Sequence, residues 1–170
     1  MPLRPLPPRV DEKLSSRRAA QLNLYRALAN SPEAVEGWLD FLWTLRDDFV
    51  TPRRLRELLI LRVAAREGSA YEWHHHEQMG LASGLTADEI AAARPGTGAG
   101  PGSAAAFEGT DALALELADA VAAGHVDEAL AARAVAELGE RAFVELAVTA
   151  SAYVMVARVL DALGVPLEGS

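Results

Sequence analysis

Residues that start or stop α-helices punctuate the chain from end to end, and no run of alternating β-branched and polar residues marks a half-buried strand. The fold class this leaves is all-α, with about eight helices. A proline-rich extended arm over residues 1–9 precedes a helix expected from about Asp11 to Ala29. Ser31-Pro32 and Thr51-Pro52 each set a capping hydroxyl before a proline at the first helical position. They predict helices from Glu33 to about Leu45 and from Pro52 to Arg66. Gly68 breaks the chain, Ser69 caps a helix over Ala70–Ala82, and Thr86 with Glu89 forms a capping box for a short helix. Three more helices, over about 111–123, 127–138 and 140–163, close at Gly124, Gly139 and Gly164. The glycine- and proline-rich segment 94–109 reads as a flexible connector.

A length of 170 residues with 51% apolar side chains suits one compact domain with a real core, here residues 20–167 after an arm and helix start over 1–19. The net charge of −8 argues against a nucleic-acid partner or an anionic membrane surface. No stretch approaches the roughly 18 uninterrupted apolar residues of a membrane helix. The polar, proline-broken start lacks the apolar core of a signal peptide, so a cytoplasmic protein is expected. There are no cysteines, which excludes thiol redox chemistry, thiolate nucleophiles and cysteine-based metal sites. Carboxylates, imidazoles and hydroxyls remain.

Among these, Glu57 is out of place. On a helix reading LLILRVAA it shares a stripe with Ile60, Leu61 and Ala64, so a carboxylate falls on an apolar face. A buried carboxylate must be paired, hydrogen-bonded or protonated, and Arg53 one turn back offers a purely structural partner. The next helix reads Tyr71-Glu72-Trp73-His74-His75-His76-Glu77. Consecutive helical residues are about 100° apart, so the three histidines fan over roughly 200° and are not a metal triad. Glu72 and His76, four apart, do share a face, as a general acid–base pair requires, with Glu72 expected to orient the imidazole. Ser69-x-x-Glu72 is also a capping box, which would give Glu72 a structural role instead.

The segment RELLILRVAAREGSAYEWHHHEQMGLASGLTADEI resembles the signature of the carboxymuconolactone decarboxylase and AhpD-like alkylhydroperoxidase superfamily. LYRALANSPEAVEGWLDFL is similar to the upstream helix pair of that superfamily and FVELAVTASAYVMVARVLDALGVPL to its C-terminal helix, so the likeness covers about 20–167. The resemblance implies an all-helical subunit assembling into homo-oligomers (dimers, trimers or hexamers), with a small pocket near subunit contacts. In the peroxidase branch a glutamate, a CxxC pair and a histidine would fall on Glu57, on Ser69 and Glu72, and on His76. Both thiols are absent here, so peroxidase activity is disfavoured and the YEW..H form is similar to the decarboxylase branch.

The expectation is an enzyme without cofactor or metal, acting on a small organic acid or lactone. Glu57, Glu72 and His76 are its catalytic candidates, and Tyr71, His75 and Ser69 its substrate-binding candidates. One Glu/His pair would serve an isomerase, cyclase or hydrolase equally well. The same residues are also compatible with a metalloenzyme using Glu57, His76 and either His74 or His75, and with a non-catalytic helical oligomer or ligand-binding protein. A functional site requires Glu57 and His76 within reach of each other, whereas a scaffold does not.

Overall fold

A computed structural model describes residues 1–15, 22–95 and 107–169. Among the described residues there are nine α-helices and no strand: α1 (Pro8–Ser15), α2 (Asn23–Leu28), α3 (Pro32–Asp47), α4 (Arg53–Arg66), α5 (Ala70–Ala82), α6 (Ala87–Ala92), α7 (Gly109–Ala122), α8 (Glu128–Leu138) and α9 (Glu140–Leu163). The all-α expectation holds.

The chain forms two compact units, Met1–Asp48 with Val159–Ser170, and Phe49–Arg158. In the first, the N-terminal arm is tied down: the Arg4 backbone N–H donates to the Arg26 carbonyl at 3.0 Å, and Asn30 Nδ2 donates to the Pro2 carbonyl at 2.9 Å. Helix α1 begins at Pro8, inside the segment expected to be extended, because proline suits the first helical turn. The single helix expected from Asp11 to Ala29 does not form: Leu22 is extended, with ψ 126°, and α2 starts afresh at Asn23. Asn23 is held by the C-terminal tail, its N–H donating to Glu168 Oε1 at 2.7 Å and its Nδ2 to the Pro166 carbonyl at 3.1 Å.

The second unit is built around α4. Every residue from Leu55 to Ala64 is buried, as a helix apolar nearly all round requires. One face meets Ala114, Leu117 and Ala118 of α7 and Leu146, Ala150 and Val154 of α9. Another, through Leu58 and Leu61, meets Leu85, Ile90, Phe107 and Leu115. Buried charge is paired outward. Arg62 makes two bonds of 2.7 Å to Asp119 of α7, a bidentate guanidinium–carboxylate pair, and Arg54 pairs with Asp111 at 2.8 Å and with Glu89.

Thr51 does not cap α4. Pro52 holds the capping position, and the Thr51 and Val50 N–H groups donate to the Glu145 carboxylate on α9 at 2.8 and 3.2 Å. The Thr86–Glu89 capping box forms on both sides. Of the expected connector 94–109, residues 96–106 lie outside the described residues, while Phe107 is buried in the core and α7 begins at Gly109. Helix α9 is, among the described residues, the one helix long and apolar enough to cross a membrane by length and composition. Half of its most apolar window is buried within the protein, and Glu145 and Arg158 interrupt the helix.

Candidate active site

The turn between α4 and α5 sets the site. Gly68 takes a φ of +68°, a left-handed conformation that glycine adopts without strain and that reverses the chain directly into α5. At the other end of α5, a Cβ on Gly80 would lie 3.1 Å from Leu85 Cδ1 and 3.3 Å from Leu61 Cδ1, so a hydrogen there lets α5 close on α4. The stripe of α4 that carries Glu57 thereby faces the stripe of α5 that carries Glu72 and His76.

Glu57 is fully buried, and Glu72 and His76 are 4% and 5% exposed. His76 Nδ1 lies 2.7 Å from Glu57 Oε2. The other carboxylate oxygen of Glu57, Oε1, forms an ion pair with Arg53, one turn back on α4. Since the guanidinium holds Glu57 as the anion, Nδ1 carries a proton and donates it. The opposite ring nitrogen, Nε2, faces Glu72 Oε2 at 3.6 Å, beyond hydrogen-bond length. That oxygen has no hydrogen-bond partner among the described residues. Glu57, and not Glu72 as expected, is thus the residue that orients the imidazole; Glu72 stands across Nε2. The purely structural partner expected for Glu57, Arg53, is also present, on its second oxygen.

The electrostatics follow from burial. Desolvation, with a smaller contribution from the nearby Glu57 charge, pushes the Glu72 carboxyl up to about 7 against the attraction of His76. Burial alone would lower the His76 pKa. The charge and hydrogen bond of Glu57, helped by Glu72, outweigh it and raise that pKa. An imidazole whose pKa is raised, facing a carboxyl held near 7, is an arrangement suited to proton transfer.

The remaining expected residues lie at the start of α5 and along it. Ser69 caps α5, its hydroxyl accepting the Glu72 N–H at 3.3 Å, and so it serves the helix start. The capping box forms by half, because the Glu72 carboxylate turns inward toward His76. Tyr71 is buried and packs on His75 with ring centroids 4.5 Å apart. His74 is exposed and sets its ring edge-on to that of His75, so the histidines diverge as their angular spacing requires. Among the described residues, no three His, Asp or Glu side chains are arranged to hold a metal ion. Trp73 faces away from the site, lining a surface groove of about 170 Å³ with Leu81 and Ile90, where the Arg94 guanidinium lies 3.6 Å over its ring.

Two further residues stand near the site, Arg56 at the start of the quoted signature segment and Tyr153 outside it. Tyr153 of α9 sets its ring against His76, centroids 4.8 Å apart and planes at 89°. Arg56, 5% exposed, lies in the field of Glu57, Glu145 and Tyr153. Residues 32–115, which include Arg53, Glu57, Glu72 and His76, match the model of the carboxymuconolactone decarboxylase family. That segment belongs to this family. No curated protein and no solved structure matches the chain. The carboxymuconolactone decarboxylase segment ends within α7, so Tyr153 reaches the buried triad from outside it.

Proposed function

We propose that the protein is an acid–base enzyme of the decarboxylase or lyase kind, working without a cofactor on a small organic acid or lactone. The observation that carries this reading is the buried series Arg53–Glu57–His76–Glu72, in which one carboxylate fixes the imidazole and a second, near-neutral one faces its free nitrogen. Glu57 keeps the proton on Nδ1 and stabilises the imidazolium, leaving Nε2 as the atom that gives or takes a proton. Arg53, 30% exposed, attracts an anionic substrate, and Tyr71 with His75 gives it a polar wall. In a decarboxylation the bond to the carboxylate carbon breaks, carbon dioxide leaves, and the electron pair moves onto a conjugated carbonyl oxygen. Glu72, as the neutral acid, donates a hydrogen bond to that oxygen, and imidazolium Nε2–H returns a proton to carbon.

The protein acts as a homo-oligomer in this reading, supported by the exposed apolar Val144 and Met155 on α9, 56% and 38% accessible. The test is incubation in heavy water with a panel of small β-keto acids and unsaturated lactone carboxylic acids. Carbon dioxide release with deuterium at the former carboxyl-bearing carbon is the expected result. Deuterium exchange without carbon dioxide release would favour an isomerase, and neither event on any member of the panel would overturn the acid–base reading.

A further inference from the structure

We propose that Tyr153 is a positioning residue that holds the His76 ring in the one plane in which Nδ1 meets Glu57 and Nε2 meets Glu72. The chemical consequence rests on the acid–base reading above; the positioning itself does not.

A histidine ring rotates about its second side-chain torsion in a broad well, so covalent geometry leaves its plane loosely defined. The Glu57 contact at 2.7 Å restrains that rotation through Nδ1 alone, at the ring edge, and packs against neither face of the ring. Glu72, at 3.6 Å, is too far to restrain the other end. The charged and aromatic groups that act on His76 include Arg53 and Glu57 from α4, Glu72 from its own helix and Tyr153 from α9. Of these only Tyr153 presents a rigid plane, and it stands at 89° to the imidazole, the edge-to-face arrangement that aromatic pairs prefer. Tyr153 is itself anchored, packing against the cluster of Leu55, Leu59, Ile60 and Leu146, while its phenol lies within the electrostatic reach of buried Arg56. A ring fixed by the core thus fixes a ring in the site.

The experiment reads the imidazole by NMR, independently of turnover. In the unaltered protein a nuclear Overhauser effect should connect the two rings, and the Nδ1 proton, held by a buried carboxylate, should give a far-downfield, slowly exchanging resonance. Tyr153→Phe should keep both. Tyr153→Leu and the longer, unbranched Tyr153→Met should broaden the Nδ1 resonance away while the helical circular-dichroism spectrum stays intact. On an accepted substrate they should lower kcat on the order of 10-fold with little change in KM, and Tyr153→Phe should restore it. No ring-to-ring effect in the unaltered protein, or a sharp Nδ1 resonance in a folded Leu or Met variant, would overturn the proposal. If the resonance is lost as expected but His76→Ala retains full turnover, the positioning stands and the acid–base reading falls.

Discussion

His76 Nδ1 and Glu57 Oε2 sit 2.7 Å apart, on consecutive helices that a single left-handed glycine folds together. The carboxylate is completely buried, so the hydrogen bond runs through a region of low dielectric where its charge is felt strongly.

Removing that charge should therefore be visible on the histidine itself. Glu57→Gln keeps the shape and takes away the main group that raises the His76 pKa, so the imidazole titration followed by NMR should move to lower pH. Turnover should fall by about 10²–10⁴, as should that of His76→Ala, with helical content retained. His74→Ala, on an exposed ring, should leave the rate close to that of the unaltered protein.

Glu72 gives the pH dependence its alkaline limb. Its carboxyl, raised by burial from an ordinary 4.5 to about 7, donates a hydrogen bond only while protonated, so kcat/KM should decline above about pH 7. Glu72→Gln should remove the part of that limb set by Glu72 and leave the decline that follows deprotonation of the His76 imidazolium. The stability linkage has the same sign: between these values the folded state binds more protons than the unfolded one, so this group's contribution is fully present below about pH 4.5 and lost as pH rises through about 7. Urea denaturation should show the unaltered protein losing stability relative to Glu72→Gln between pH 5 and pH 8.

At Glu145 the linkage runs the other way. Burial works against the charge, but hydrogen bonds from Thr51, Arg141 and Val50 overcome it and hold the carboxyl at about 2. The stability it provides is present above about pH 4.5 and lost as pH falls through about 2. Glu145→Gln replaces a charged acceptor of backbone N–H groups with a neutral one and should cost about 1–3 kcal/mol at pH 7 by urea denaturation. A cost below about 0.5 kcal/mol would mean that the start of α4 does not depend on this carboxylate.

Light scattering at micromolar concentration should give a mass that is a multiple of the 18.1 kDa chain. Val144→Glu with Met155→Glu should lower it if the exposed apolar residues of α9 lie in the contact. A monomer under all conditions would count against self-association.

Much of this site is legible in the sequence for a physical reason: a carboxylate on an apolar helical stripe has to be explained, and Glu57 stands out that way. The four-residue spacing of Glu72 and His76 places them on one face. Spacing does not say which carboxylate holds the imidazole, because that depends on how closely α5 approaches α4, and Gly80 decides it from the far end of the helix. Glu145 answers to the same test as Glu57, a carboxylate set within an apolar stretch of helix, here FVELAVTASAYVMVA of α9. Tyr153 has no such signal, since an aromatic residue in an apolar helix reads as core. The break at Leu22 is hidden because the helical signals on either side of it run together.

Position 72 plays two parts that do not compete. Its backbone N–H meets the Ser69 hydroxyl and starts the helix, while its side chain faces His76. Any residue with an amide hydrogen can fill the first part. The side chain is therefore open to replacement as a change of reagent, with the architecture around it kept. The first turn of α5 thus works as an exchangeable cartridge in a fixed frame, in which the reagent can change while the core stays as built.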